Sequence, residues 1–347
     1  MDAHTGEQQQ AKGSTRTARR RRARHKRRRR APPPIVAAID LGTNNCRLLI
    51  VTPQANGELH VVDSFSRIVR LGEGLGEAGE LSPVAIDRTV AALKICGDRI
   101  RKSGARHVRA VATHASRSAR NSQTLVDRVK EEAGLDLEIV TAEEEARLAS
   151  IGCAPLMGPR HAGALVFDVG GGSTEAIWIA RDGQTIETRH VASLPVGVVN
   201  IAERDGIAHQ DRAYFEKLTA EMTERFAAVR HAMPGFDVRT HHLLGTSGTV
   251  TTLAGIAMGL KRYIRARVDG TWHNTKDIMA VVDHIVALDH AGRVALGCVG
   301  EERADLIVPG CAIFAGLYAN WPCNQLRVAD RGLREGILRE LIAKAAR

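Results

Sequence analysis

The stretch that decides the fold is LVFDVGGGSTEAIWI, residues 165–179. An apolar run ends at Asp168, a turn of three glycines and two hydroxyl residues follows, and a second apolar run begins after Glu175. This pattern predicts a strand, a tight turn and a second strand. Glycines let backbone N–H groups approach a phosphate closely, so the turn is typical of an anion site. An ordinary glycine-rich hairpin would show the same pattern in isolation.

Several groups of this hairpin are suited to phosphate chemistry. Asp168 follows a predicted buried strand, and its carboxylate is a ligand that hard divalent cations prefer. A cation bound there would lie next to the phosphate in the turn. The backbone amides and hydroxyl groups that would face the phosphate belong to Gly170, Gly171, Gly172, Ser173 and Thr174.

A second copy of this pattern lies near the start of the chain, in IVAAIDLGTNNCRLLIV at residues 35–51. It repeats the order of apolar strand, Asp-x-Gly, small polar turn and apolar strand. Asp40 and Asp168 are 128 residues apart, which is about one domain length. Two such hairpins at this spacing predict two domains that face each other across a cleft, each contributing a phosphate-binding turn.

The segment LLGTSGTVTTL, residues 243–253, predicts a strand, a Gly/Thr/Ser loop and a helix. The free N–H groups of such a helix can bind an anion, although capping of the helix by Thr and Ser is the simpler alternative. Arg117 follows another predicted strand and can bind a phosphate with two N–H groups. A solvated surface arginine would fit the same sequence.

Glu145 belongs to a predicted helix that begins after Thr141. Thr141 and Glu144 have the spacing of a capping box, and acidic residues are favourable near a helix N-terminus. Neither effect requires Glu145. Its carboxylate can therefore accept a proton from an attacking water molecule.

The charge of the chain is concentrated in its first 34 residues. They contain twelve basic and two acidic residues, so their net charge equals the +10 of the whole 347-residue chain. We expect residues 1–34 to be a disordered basic tail that contacts a polyanion or is dispensable. Six scattered cysteines without a C-x-x-C pair indicate buried thiols in a cytoplasmic protein. No apolar run is long enough to span a membrane.

Seven motifs, in order along the chain, resemble the exopolyphosphatase/guanosine pentaphosphate phosphohydrolase family in its short two-domain form. That family belongs to the superfamily of actin, the sugar kinases and the Hsp70 ATPase. The most specific motifs are EEARL at residues 144–148 and DVGGGSTE at residues 168–175. The others are AIDLGTN (38–44), THASR (113–117), GTSGT (245–249), ERAD (302–305) and LREG (333–336).

The resemblance implies an α/β fold of two ribonuclease-H-like domains that flank a cleft. We expect an actin-like N-terminal domain at residues 35–150, completed by a C-terminal helix at residues 325–347, and a second actin-like domain at residues 151–324. Longer family members continue into an HD-type metal domain. This sequence has no His-Asp doublet, so the resemblance does not extend to a long channel for polyphosphate.

The resemblance also implies a role for each site residue. Glu145 would be the base that orients or deprotonates the lytic water, and Asp168 with Glu175 would bind Mg²⁺ or another divalent cation such as Mn²⁺. The phosphates would be held by Asp40, Gly42, Thr43, Asn44, Asn45, Arg117, Gly170, Gly171, Gly172, Ser173, Thr174, Gly245, Thr246, Ser247, Gly248 and Thr249.

The leading interpretation is a Mg²⁺-dependent exopolyphosphatase that releases terminal orthophosphate from polyphosphate by in-line attack of water. The alternative is hydrolysis of the 5′-phosphate of guanosine pentaphosphate, which the same motifs serve. A sugar kinase or ATPase of the superfamily is disfavoured by the EEARL motif, and a non-catalytic phosphate sensor by the presence of both Glu145 and Asp168. A homodimer is among the assemblies that the sequence allows.

Overall fold

The computed structural model describes residues 33–345, except residues 56, 184 and 207–209. The expected disorder of the basic tail, residues 1–34, therefore lies almost entirely outside the described residues. From Pro34 onward the chain forms one compact unit. No helix in the described ranges is long and apolar enough to cross a membrane.

The first half of this unit contains a five-stranded sheet in the order β3-β2-β1-β4-β5. Strand β2 is antiparallel to both of its neighbours, whereas β4 runs parallel to β1 and β5. The elements are β1 (Val36–Leu41), β2 (Asn45–Pro53), β3 (Leu59–Ile68), α1 (Leu75–Ala78), α2 (Pro83–Ser103), β4 (His107–Ala112), α3 (His114–Ser118), α4 (Ser122–Ala133), β5 (Leu137–Ile139) and α5 (Ala142–Cys153).

The second half contains a six-stranded sheet in the order β10-β11-β9-β6-β7-β8. Its strands are β6 (Gly163–Val169), β7 (Thr174–Asp182), β8 (Thr185–Leu194), β9 (His241–Thr246), β10 (Trp272–Asn274) and β11 (Gln325–Val328). Its helices are α6 (Val198–Asp205), α7 (Arg212–His231), α8 (Ser247–Ala257), α9 (Arg265–Val268), α10 (Thr275–Ala287), α11 (His290–Ala295) and α12 (Glu301–Asn320), and α13 (Leu333–Ala345) follows β11.

The two sheets share one topology. Without β10, the second sheet has the order β8-β7-β6-β9-β11, which matches β3-β2-β1-β4-β5 strand for strand. This is the strand order of ribonuclease-H-like domains, so the predicted fold class is confirmed. The two hairpins that the sequence pairs by pattern, β1–β2 and β6–β7, occupy equivalent central positions in their sheets.

Local sequence signals account for several helix boundaries. Helix α2 begins with Ser82, whose hydroxyl accepts a hydrogen bond from the N–H of Ala85, and ends at Gly104 in the left-handed conformation. Helix α5 begins with Thr141, whose hydroxyl accepts a hydrogen bond from the N–H of Glu144 at 3.2 Å. The predicted cap of α5 is therefore present, and it fixes the start of the helix that carries Glu145.

Helices α5 and α13 cross at van der Waals distance beside the first sheet. A Cβ atom on Gly336 would lie 1.9 Å from the carbonyl oxygen of Leu148, and one on Gly152 would lie 2.0 Å from that of Gly332. Only glycine permits this approach of the two backbones. This close approach fixes the position of Glu145, near the start of α5, relative to the start of α13.

The C-terminal segment contributes to both halves. Strand β11 pairs with β9 and β10 of the second sheet, whereas Leu333, Ile337 and Leu338 of α13 join the apolar cluster that includes Val36 of the first sheet. Residues 325–328 thus extend the second sheet, and only the helix that follows packs on the first. The domain boundaries themselves stay a prediction.

Candidate functional site

A cleft separates the turns of the two central hairpins, and residues from both sheets line it. Sixteen of the nineteen residues predicted for the site lie on its surface. They are Asp40, Gly42, Thr43, Asn44, Asn45, Glu145, Asp168, Gly170, Gly171, Gly172, Ser173, Glu175, Thr246, Ser247, Gly248 and Thr249.

The other three predicted residues lie behind the cleft surface. Thr174 is fully buried, and its hydroxyl donates to the carbonyl of Val196 at 2.7 Å. Gly245 lies in β9, where a Cβ atom would come within 2.5 Å of the Phe167 ring. Arg117 reaches the site indirectly, through a contact with Glu145. The structure therefore gives Thr174 and Gly245 packing contacts and does not bring them to the cleft.

The backbone carbonyls of the turn after β6 accept hydrogen bonds from helix α6. The N–H groups of Val198 and Val199 donate to the carbonyls of Gly170 and Gly171 at 3.0 and 2.8 Å. The side chain of Asn200 donates to the carbonyl of Gly172 at 3.0 Å. Within the described ranges, the N–H groups of Gly171 and Gly172 have no acceptor. They are free to bind an anion in the cleft.

The turn after β1 is built in the same way from the other side of the cleft. The carbonyl of Thr43 accepts from the N–H of Gly72 at 3.0 Å, and that of Asn44 accepts from the N–H of Val69 at 2.8 Å. The N–H groups of Thr43 and Asn44 have no acceptor among residues 33–345 as described. Both hairpins thus present unpaired donors to the space between them.

Six carboxyl groups line the cleft, of which Asp330 and Glu335 are paired with Arg265. The other four are those of Asp40, Glu145, Asp168 and Glu175. Asp168 and Glu175 are cross-strand partners on β6 and β7. Burial, reinforced by the negative charges of Glu175 and Asp40, raises the pKa of Asp168 to about 7. Burial also raises the pKa of Glu145, Glu175 and Asp40. Ionisation of all four of these carboxyl groups together is unfavourable unless a cation binds next to them.

Glu145 is held by Arg117. The Nη1 atom of Arg117 lies 3.1 Å from Oε2 of Glu145 and donates to the carbonyl of Val140 at 2.8 Å. The positive charge of Arg117 partly opposes the rise in the pKa of Glu145 that burial and Glu175 cause. Glu175 is only 2% exposed and accepts a hydrogen bond from the hydroxyl of Ser193 at 2.8 Å. Both carboxyl groups therefore have fixed positions.

No group of three or more His, Cys, Asp or Glu side chains within the described ranges is arranged to hold a metal ion. A complete protein cage is not what Mg²⁺ requires, because it commonly binds one or two carboxylates and completes its shell with water and substrate phosphates. Asp168 and Glu175 supply such oxygen donors. Ser247 adds a buried hydroxyl beside Asp168, on a backbone strained at φ +80°. This donor set fits a magnesium ion shared with a phosphate.

Three arginines that sequence reasoning did not assign to the site, Arg47, Arg303 and Arg334, also line the cleft. None of them forms an ion pair with a described residue, whereas their neighbour Arg331 is paired with Asp269. Burial, and the nearby charge of Arg47, lower the pKa of Arg303 and Arg334. Clustered cations that are outside any ion pair favour a bound anion. Arg303 lies in the motif ERAD and Arg334 in the motif LREG, so these two motifs are the sequence signal that could have identified both arginines as site residues.

The chain matches the Ppx/GppA phosphatase family over residues 50–345. It is 31% identical over 317 residues to exopolyphosphatase 2 of Mycobacterium tuberculosis, covering 87% of this chain and 97% of that protein. The solved Ppx/GppA family member of Aquifex aeolicus is 30% identical, with a TM-score of 0.74 over 91% of this chain and 100% of that one. An exopolyphosphatase structure from Cytophaga hutchinsonii is 26% identical, with a TM-score of 0.79 over 89% and 98%.

These matches confirm the family resemblance from which the residue roles were inferred. They also confirm the expected class of activity, an enzyme that hydrolyses phosphoanhydride bonds. The family model begins within β2 and covers the second sheet, the β6–β7 hairpin and the crossing of α5 and α13. The chain belongs to the Ppx/GppA phosphatase family.

Proposed function

We propose that the protein is an exopolyphosphatase that releases terminal orthophosphate from inorganic polyphosphate by attack of water. The observation that carries this proposal is the composition of the cleft. The cleft combines backbone amides without acceptors and three arginines without ion pairs, among the described residues, with Glu145 and the Asp168–Glu175 pair. Phosphoryl transfer to water needs both sets of groups, because it depends on holding the phosphates and positioning the nucleophile.

The phosphate chain would bind between the two hairpin turns. The N–H groups of Gly171, Gly172, Thr43 and Asn44 would donate to oxygens of the terminal phosphate. Amides that are already oriented by the fold stabilise developing negative charge without reorganisation. The arginines would bind oxygens of the phosphates farther along the chain, since guanidinium groups match phosphate geometry.

A divalent cation, most simply Mg²⁺, would be held by Asp168 and Glu175 and would neutralise charge on the phosphate oxygens during transfer. This cation is part of the proposal and rests on the oxygen donors described above. Glu145 would accept the proton of the attacking water. Its raised pKa makes the ionised carboxylate a stronger base, and Arg117 keeps it oriented. Hydrolysis of guanosine pentaphosphate at its 5′-phosphate uses the same groups and is the alternative.

The substrate assignment is tested by phosphate release from long polyphosphate, tripolyphosphate and guanosine pentaphosphate, measured side by side with and without Mg²⁺. We expect Mg²⁺-dependent release that is most efficient, by kcat/KM, with polyphosphate. Faster turnover of guanosine pentaphosphate would favour the alternative. Transfer of phosphate to an acceptor other than water would contradict hydrolysis itself.

The Glu145→Gln variant removes the proposed base while keeping the size of the side chain. We expect kcat for phosphate release to fall by about 10²–10⁴-fold, because that is the usual contribution of a positioned general base. Substrate affinity should change little. The matched control is Glu143→Gln, on the exposed side of the same helical turn, which should keep the wild-type rate. Full activity of Glu145→Gln would show that another group activates the water.

The Asp168→Asn variant tests the proposed cation site by stability. The raised pKa means that the folded protein holds this proton more tightly than the unfolded chain, so the free energy of unfolding falls as pH rises from about 4 to about 7 and stays lowered above that. We expect Asp168→Asn to raise the free energy of unfolding of the metal-free protein at pH 8 by about 1–4 kcal/mol, with a smaller difference at pH 5. Mg²⁺ should stabilise the wild type and have little effect on this variant.

Urea unfolding at both pH values, with and without Mg²⁺, measures this effect. Asp182→Asn, at an exposed position of β7, is the control and should show neither change. A variant that is less stable than the wild type at pH 8, or that Mg²⁺ stabilises equally well, would contradict the assignment of Asp168.

We also propose that the basic residues of the first 34 positions strengthen binding of long polyphosphate. Removing residues 1–34 should weaken affinity for long polyphosphate at low salt, with the difference vanishing at high salt, because phosphate contacts release counter-ions. A chain of full length with those arginines and lysines replaced by glutamine is the control and should behave like the deletion. Equal affinity of the deleted and full-length proteins at low salt would rule this out.

A further inference from the structure

His114 is a cleft residue to which no role has been assigned above. It is the first residue of α3, directly after β4, and it lines the cleft with its imidazole half-buried. The preceding residue, Thr113, also lines the cleft, and Arg117 follows on the next turn. The chain direction from β4 into α3 therefore brings this ring to the place where the two hairpin turns meet.

The geometry around Gly172 shows where the ring lies. A Cβ atom on Gly172 would be 2.3 Å from Cδ2 and 3.0 Å from Nε2 of His114, and 2.9 Å from the hydroxyl oxygen of Thr43. An imidazole nitrogen and a hydroxyl thus approach one point beside Gly172. They come from the first half of the molecule, whereas Gly172 belongs to the second. A larger residue at position 172 would fill this space.

His114 has no hydrogen bond or ion pair with any residue in the described part of the chain. Three other histidines each have a hydrogen-bond partner in the protein. His161 contacts Gln325 at 3.0 Å, His242 donates to the carbonyl of Leu243 at 2.8 Å, and His273 contacts Thr271 at 2.9 Å. A half-buried imidazole without a protein partner, in a cleft, has a donor available for a ligand.

The imidazole ring of His114 can donate a hydrogen bond to an anion while it carries no positive charge itself. Burial, with a smaller contribution from Arg117, lowers the pKa of His114. The ring is then neutral at neutral pH and carries one N–H group. With one donor it can orient a phosphate oxygen but holds the anion less strongly than an arginine does.

We propose that His114 is a substrate-binding residue whose Nε2–H donates to a phosphate oxygen, beside the hydroxyl of Thr43 and the free N–H of Gly172. The inference rests on the proposed function, in that a phosphate chain occupies the cleft. The ligand class is the phosphate oxygen of an inorganic polyphosphate or of orthophosphate. Because the contact joins groups of both halves, it positions the phosphate against both turns at once.

Kinetics with tripolyphosphate test the role in turnover. Removing the donor in His114→Ala should raise KM about tenfold, since a hydrogen bond to a charged group is lost, and should leave kcat nearly unchanged. His114→Gln places an amide N–H near the position of Nε2 and should restore most of the lost affinity. The control is His107→Ala, at an exposed position at the start of β4, with wild-type KM expected.

Binding is tested without turnover, by NMR of the full chain labelled with ¹⁵N-histidine in EDTA. The ring resonances of His114 are those that disappear in His114→Gln. We expect them to shift when orthophosphate or tripolyphosphate is added, while those of His107 stay in place. An unchanged His114 ring at 10 mM orthophosphate and tripolyphosphate (about tenfold above a millimolar Kd), or an unchanged KM in His114→Ala, would overturn the inference.

The two tests separate this inference from the proposed function. If the wild-type protein released no phosphate from any phosphate chain, the proposed function would be wrong, and the NMR titration would still decide whether His114 contacts phosphate. If turnover were normal and the His114 ring did not respond, only the role of His114 would be lost.

Discussion

The structure depends on a local imbalance of charge between two glycine-rich turns. Six carboxyl groups share one cleft, two of them paired with Arg265, and three arginines without ion-pair partners among the described residues face the same space. Neither set is stable by itself in a low dielectric. A phosphate chain would pair the arginines, and a divalent cation would pair Asp168 and Glu175. Attraction between the two sets, as between Asp40 and both Arg47 and Arg334, offsets part of this cost, and bound ligands would offset more of it.

The backbone around the cleft is built to keep those charges in place. Helix α6 donates hydrogen bonds to the backbone carbonyls of the turn after β6. Gly197, at the N-terminus of this helix, lies so close to Gly171 that a Cβ atom on Gly197 would be 2.4 Å from the carbonyl carbon of Gly171. The crossing of α5 and α13 fixes Glu145 from the other direction. These contacts lie outside the motifs that bind phosphate, and they explain why glycine is needed at positions that face no ligand.

Confirmation of the fold class gives the duplicated hairpins a structural meaning. Equivalent central strands place Asp40 and Asp168 at matching ends of their sheets, so one cleft receives carboxylates and free amides from both copies. The substrate, the cation and the cytoplasmic location stay predictions. The family match supports a phosphoanhydride hydrolase, and the arrangement of donors and bases in the cleft is the physical argument for how it acts.

The sequence by itself determined the two hairpins, the cap of α5 at Thr141 and most of the turn residues, because apolar periodicity, glycine and capping spacing act over a few neighbouring positions. It did not show that Gly245 packs against the Phe167 ring, which lies 78 positions earlier in the chain. Only the tertiary structure decided that, among the described residues, Arg303 has no ion-pair partner in the cleft and His114 has no hydrogen-bond partner. Whether a charge is paired depends on groups brought from distant parts of the chain.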